Sequence, residues 1–253
     1  MHRNRKVLLT GAAGRIGSTF FKATHERFTF RLTDLPHTSV QADAPHEVML
    51  AELGDVETCR GLCEGIDTVV HLAGIPSPDA TFEAVLEHNI KVTHNVFEAA
   101  RTQGCKRVVV ASSAQAVEAY PVDIQVSQTM PVRPKNLYGV SKCFVEALAS
   151  YYATEQGLSA IAVRIGAFES PESHNLTTAR DLSAFLSPRD ACHLFTRCIE
   201  VENVEYFVAH GVSNNRFKRL DTSETEKVLS YRPADDAFQL FDLPIDSLTI
   251  TNI

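Results

Sequence analysis

Lys6-Val-Leu-Leu-Thr10 runs straight into Gly11-Ala-Ala-Gly14-Arg-Ile-Gly17, an apolar run followed by glycines at every third position. Lys6–Leu9 reads as a buried strand and Ser18–His25 as the helix after it, so the glycines stand where the chain turns from one to the other. Glycine there permits a tight turn, lets a pyrophosphate approach the backbone, and lets helix and strand pack closely. The free N–H groups and the positive helix end then favour phosphate. The spacing is GxxGxxG rather than GxGxxG, so its position after a strand matters as much as the letters.

The same alternation continues along the chain. Phe28–Thr33, Glu47–Leu50, Thr68–Leu72, Arg107–Ala111, Ser159–Ile165 and Glu205–Ala209 read as strands. Val56–Cys63, Phe82–Gln103, Tyr138–Gln156 and Pro188–Val201 read as helices, with Asp190 as a helix cap, and Glu169–Asp181 reads as loop. Short β-branched runs between helices predict an α/β fold, a Rossmann-type doubly wound parallel sheet covered on both faces. Residues 1–165 form the expected dinucleotide-binding core. Residues 166–253 form a small C-terminal region that covers the cofactor and shapes the substrate pocket, all within one compact domain.

With 253 residues, 44% hydrophobic and 22% charged, the chain is large enough for one such domain. A net charge of -7 argues against nucleic-acid binding. The basic start Met1–Lys6 is followed by too short an apolar run for a secretory signal or a membrane span, which predicts a cytoplasmic protein. Six cysteines without a CxxC pair read as reduced thiols, and the scattered His71, His88, His94 and His193 as core or surface residues. No metal is expected.

Asp34 ends the second strand about 20 residues after the glycines, where a carboxylate accepts hydrogen bonds from the adenosine ribose and repels a 2′-phosphate. The cofactor expected is therefore NAD rather than NADP. Tyr138 and Lys142, four apart, share one helix face. A nearby lysine would lower the tyrosine pKa from about 10, and Ser112 or Ser113 at the end of strand five could bond a substrate oxygen.

These segments together resemble the extended short-chain dehydrogenase/reductase superfamily, the NAD-dependent epimerase/dehydratase group. The resemblance is carried by Thr10–Gly17, Asp34, His71-Leu-Ala-Gly74, Asn89-Ile90, Ala111-Ser-Ser113, Tyr138-Gly-Val-Ser-Lys142 and Arg164-Ile-Gly166. It implies a Ser113–Tyr138–Lys142 centre. It also implies cofactor contacts from Gly11, Gly14, Arg15, Ile16, Gly17, Asp34 and Leu35, adenine contacts from Glu52 and Leu53, an adenosine wall of Leu72, Ala73 and Gly74, and Ile165 at the nicotinamide. Asn89 belongs to this set as a residue that orders the backbone by hydrogen bonding.

Within the group, the chain is most similar to uronate dehydrogenases. Tyr138–Phe144 with Glu146, Arg180-Asp-Leu-Ser-Ala-Phe-Leu-Ser187, Asn214-Asn215 and Tyr231-Arg-Pro233 with Asp235 carry that similarity. It implies that Arg180 holds a sugar carboxylate, although an arginine there could equally serve a salt bridge. It makes Ser77 and Ser113 candidate substrate contacts. Ala114-Gln115 stands where the group has Asn-His, Pro76 stands where it tends to place its serine, and there is no tryptophan.

The function expected is NAD-dependent oxidation of a sugar or sugar acid, a uronate going to an aldarolactone, in a possible homodimer built on the two long helices. The alternatives are a nucleotide-sugar epimerase or dehydratase and a non-catalytic NAD-sensing protein. The former usually needs a larger C-terminal lobe, and the latter generally lacks the Tyr and Lys present here.

Overall fold

The computed structural model describes residues 5–170 and 176–241; the basic start at 1–4 and part of the 169–181 loop lie outside them. The first half runs β1 (Lys6–Thr10), α1 (Arg15–Thr24), β2 (Thr29–Thr33), β3 (Glu47–Val48), α2 (Val56–Cys63), β4 (Thr68–His71), α3 (Phe82–Val85) and α4 (Val92–Thr102). It continues through β5 (Arg107–Ser113), α5 (Leu137–Thr154), β6 (Ser159–Ile165), β7 (Ala167–Phe168), α6 (Ala179–Ser183), β8 (Phe185–Leu186), α7 (Pro188–Glu200), β9 (Tyr206–Gly211), α8 (Ser223–Leu229) and α9 (Ala237–Leu240).

Seven strands form one parallel sheet in the order β3-β2-β1-β4-β5-β6-β9, and β7 and β8 pair separately. Successive residues of a strand face opposite sides of a sheet, and the core follows that rule. Leu8, Val69, Val108 and Val110 pack beneath Leu62, Val96, Phe97 and Val145 on one face. Val7, Leu9, Val70 and Val109 pack beneath Phe20, Leu194 and Phe195 on the other. Strand order reverses direction between β1 and β4, which pair from Val7–Thr68 to Thr10–His71, and the crevice that such sheets use for ligands lies beyond their carboxyl ends. Because β9 joins the main sheet beside β6, the region after residue 165 completes the core as well as covering it.

Several expected boundaries shift. Helix α1 begins at Arg15 rather than Ser18, because Gly14 already acts as its extended N-cap and its carbonyl accepts from Ser18 N–H at 2.9 Å. The long helix expected over Phe82–Gln103 is interrupted by a π-helical turn at Leu86–Lys91; such widened turns recur at functional sites. Asp190 does not cap α7. Ser187 does, accepting from Asp190 N–H at 3.1 Å, and the Asp190 carboxylate instead accepts from Ala234 and Asp235 N–H at 3.0 Å each. Among the described residues, no helix is long and apolar enough to cross a membrane. No group of His, Cys, Asp or Glu among them is placed to hold a metal.

Candidate active site

A cavity of about 1150 Å³ opens at the carboxyl ends of β1, β2, β4, β5 and β6. One wall is the turn from β1 to α1. Gly11 has φ +70°, and a side chain there would meet the Leu72–Ala73 backbone at 2.9 Å; a Cβ on Gly17 would come within 2.1 Å of the Gly11 carbonyl. The turn therefore accepts only glycine at these two positions, and backbone is brought up to the cavity where no side chain fits. Asp34 fastens this turn from the end of β2, accepting from Ala13 and Leu35 N–H at 2.8 Å each. Each carboxylate oxygen keeps a second lone pair for another donor.

The adjoining wall, Leu72-Ala73, is set by a buried polar chain. Thr10 Oγ1 accepts from Leu72 and Ala73 N–H at 3.2 Å each, so its own hydrogen goes to His71 Nδ1 at 2.8 Å. His71 Nε2 then donates to Thr93 Oγ1 at 3.2 Å. Burial, helped by the Lys142 charge, brings His71 down to about 3, so the ring is neutral and acts as a spacer.

Helix α5 carries the titratable centre. Asn136 caps it, accepting from Gly139 N–H at 2.7 Å and donating to Gln115 Oε1 at 2.9 Å. Gly139 lets the helix start close to the short helical turn Ala114–Val117 that follows β5, since a Cβ there would sit 2.4 Å from the Gln115 carbonyl. This places Tyr138 and Lys142, both nearly buried, on the cavity floor. The Tyr138 hydroxyl lies beside the Ser113 side chain, whose hydroxyl favours the ionised phenol. Lys142 Nζ donates to the Ala111 carbonyl at 2.8 Å and lies 5.5 Å from the centre of the Tyr138 ring.

The structure also separates the two serines. Strand β5 extends to Ser113, and adjacent residues alternate sides. Ser113 lies beside Tyr138, whereas Ser112 Oγ donates to Glu146 Oε1 at 2.6 Å. Glu146 in turn accepts two hydrogen bonds from Arg164 at 2.8 Å, within the core.

The direction of the Tyr138 shift differs from the expected lowering by lysine. Burial raises Tyr138 above 10, the Ser113 hydrogen bond partly opposes it, and Lys142 contributes no lowering. Burial also brings Lys142 down to about 8. A buried pair without a countercharge resists ionisation of the phenol and protonation of the amine alike.

Of the other expected residues, Gly11, Gly14, Arg15, Ile16, Gly17, Asp34, Leu35, Glu52, Leu53, Leu72, Ala73, Gly74 and Ile165 line the cavity, as does Arg180. Asn89 stands behind the wall in the π-helical turn. Its Oδ1 accepts from Ile75 N–H at 2.8 Å, and its Nδ2 donates to Ser141 Oγ at 3.0 Å, tying the β4 loop to α5. Ser77 turns away from the lining, accepting from Asp79 N–H at 3.3 Å.

Arg180, from α6, reaches the cavity with its guanidinium already paired. Nε donates to Glu118 Oε1 at 2.9 Å, Nη2 donates to Glu118 Oε2, and Nη1 reaches Asp181 Oδ1 at 3.5 Å. Arg15 likewise pairs with Glu169 at 2.6 Å, from α1 to the residue after β7. Neither Glu118 nor Glu169 stands out in the sequence. Both partnerships span long chain separations and follow no motif.

Comparison with known proteins agrees with this geometry. The family described as NAD dependent epimerase/dehydratase matches residues 7–190. An NAD-dependent glucose-6-phosphate dehydrogenase of Haloferax volcanii is 34% identical, covering 92% of this chain and 95% of its own. A uronate dehydrogenase of Pseudomonas putida is also 34% identical, covering 92% and 85%. The structure of a point mutant of the Agrobacterium tumefaciens uronate dehydrogenase complexed with NAD superposes with a TM-score of 0.88 at 31% identity, covering 98% of this chain and 91% of that one. The chain therefore belongs to the NAD dependent epimerase/dehydratase family, within the extended short-chain dehydrogenases/reductases.

Proposed function

We propose that this protein is an NAD-dependent dehydrogenase that oxidises a hydroxyl of a sugar or sugar acid. The observation that carries the reading is the Tyr138 hydroxyl beside the Ser113 side chain, one helical turn from Lys142, on the floor of a cavity that begins at the Gly11–Gly17 turn. The residues present suit the dinucleotide. The backbone of the Gly11–Gly17 turn at the head of α1 would hold the pyrophosphate, Asp34 the adenosine ribose, Glu52 and Leu53 the adenine, and Ile165 the nicotinamide side. Asp34 favours NAD over NADP, because a 2′-phosphate would meet a carboxylate.

NAD, when bound, would supply the hydride acceptor and a positively charged ring. Ser113 holds the substrate oxygen. Tyr138, as phenolate, takes the hydroxyl proton while the hydride leaves the carbon that bears it. Lys142 keeps further N–H donors beyond its bond to Ala111, and these suit a ribose hydroxyl. A cyclic sugar oxidised at its anomeric carbon leaves as a lactone. We also propose a homodimer through the Phe82–Gln103 helical segment and α5, supported by the exposed Phe82 and Leu86 on the one and Val140 and Tyr151 on the other; a sedimentation mass of one chain would exclude it.

The test is NADH formation, followed by absorbance, with NAD or NADP across aldoses, uronates and sugar phosphates. Activity that needs NAD and is lost in Tyr138→Phe is expected. No NADH from any sugar would refute the reading.

A further inference from the structure

The cations of the cavity bear on which sugars it accepts. Among the described residues lining it, the lysines and arginines are Arg15, Lys142 and Arg180, and each is engaged. Arg15 pairs with Glu169 at 2.6 Å, and Lys142 donates to the Ala111 carbonyl at 2.8 Å. Arg180 presents two guanidinium edges, one closed bidentately by Glu118 and the other leaning on Asp181 at 3.5 Å. The Arg180–Glu118 pair is sheltered, with side-chain exposures of 21% and 15%. Burial works against the Arg180 charge, and Glu118 followed by Asp181 more than restores it.

The chain that follows Glu118 is fastened as well. Arg219, whose charge acts on both members of the pair, donates to the carbonyls of Tyr120, Pro121 and Ile124 at 2.7, 2.6 and 2.8 Å. It thereby fastens the segment that follows Glu118.

A carboxylate or phosphate arriving at Arg180 has two options. It can displace Glu118, leaving a sheltered carboxylate without its guanidinium, or it can settle beside Glu118, where like charges share one site. Both are unfavourable. A sugar hydroxyl meets neither penalty. A guanidinium carries five N–H donors, and the Nη1 hydrogens, held only loosely by Asp181, can still donate to a neutral oxygen.

We propose that Glu118 is the specificity-determining residue of this site: it fills the anion-binding edge of Arg180 with a carboxylate of the protein's own, so the cavity takes neutral aldoses and discriminates against sugar acids and sugar phosphates. This rests on reading the cavity as the site of sugar oxidation.

The experiment compares wild type, Glu118→Gln and Glu118→Ala. Each is titrated calorimetrically, with saturating NADH, with aldoses and their matching uronates, and the same pairs are assayed for NADH formation with NAD. Wild type is expected to favour the aldose over its uronate by about tenfold or more, and both variants to narrow that ratio by about tenfold by lowering the uronate Kd and KM. A wild-type protein that binds the uronate as tightly as the aldose, or a ratio unmoved in variants of wild-type melting temperature, overturns the proposal. Where a variant does not fold, the wild-type ratio alone decides. Aldose-selective binding without NADH from any sugar would support Glu118 and discard the dehydrogenase reading. Efficient oxidation of uronates in preference to aldoses would do the reverse.

Discussion

Lys142 Nζ lies 2.8 Å from the carbonyl oxygen of Ala111, so a buried ammonium is held by one strand carbonyl and, among the described residues, by no carboxylate. Its pKa of about 8 in the folded protein, caused by burial, lies below the unfolded value of about 10.4. Between these values the unfolded chain binds the proton more strongly, so this group's contribution to stability rises with pH across that window, by about 3 kcal/mol in total. Lys142→Met is expected to abolish NADH formation while raising stability at pH 7, with the gain shrinking towards pH 10. Denaturant titrations at both pH values measure it; a variant less stable than wild type at pH 7 would contradict the argument.

Tyr138→Phe removes the proton acceptor and leaves the ring in place. Proton transfer by a positioned side chain is worth about 10²–10⁴-fold in rate, and a loss of that size is expected with NAD affinity retained. Stopped turnover with an unchanged Kd for NADH separates this from a folding defect.

Ser113→Ala takes away the hydrogen bond that opposes the burial-driven rise of Tyr138. The tyrosine pKa then climbs further, so the rising limb of kcat/KM against pH is expected to move to higher pH. Ser112→Ala is expected to leave that limb in place and to lower stability instead, because Ser112 bonds Glu146. Identical profiles for the two variants would show that the serines are not distinguished as described.

At the cofactor wall, Asp34→Ala loosens the Ala13 and Leu35 amides and removes the acceptor offered to a ribose. Hydrogen bonds to a charged group are worth about 1.5–3 kcal/mol, so NAD is expected to bind roughly 10- to 100-fold more weakly. NADP binding should fall less or improve, because the like charge is gone. Parallel titrations with NADH and NADPH read both.

In the core, Glu146→Ala would leave Arg164 charged and buried without its partner; the two side chains are 6% and 3% exposed. A loss of about 3–5 kcal/mol is expected, largely recovered when Arg164→Met is added. Chemical denaturation of the single and double variants tests this.

The sheet was legible because β-branched runs such as Arg107–Val110 report burial on both faces, and the glycine turn because only glycine survives at 2.1 Å from a carbonyl. Tyr138 and Lys142 were legible because helical spacing alone brings them together. The division of labour between Ser112 and Ser113 was not, since it depends on which face of β5 meets Glu146, a residue on another element. The break at Leu86–Lys91 escaped as well. Its apolar spacing still reads as helix, while Asn89 gains partners in Ile75 and Ser141 that no local pattern announces. Glu118 and Glu169 were silent for the same reason: an ion pair across 62 or 154 residues leaves no periodic trace.

The back-to-back serines of β5 make turnover a sensor of strand placement. Ser112 pairs opposite Arg164 and Ser113 opposite Ile165. Sliding β5 by a single residue would exchange their sides, sending the hydroxyl meant for Tyr138 into the Glu146–Arg164 core and the other into the cavity. A population refolded with that slip could keep its helical content and its glycine turn and still be inert, so specific activity per folded molecule counts correctly seated strands where circular dichroism would count both.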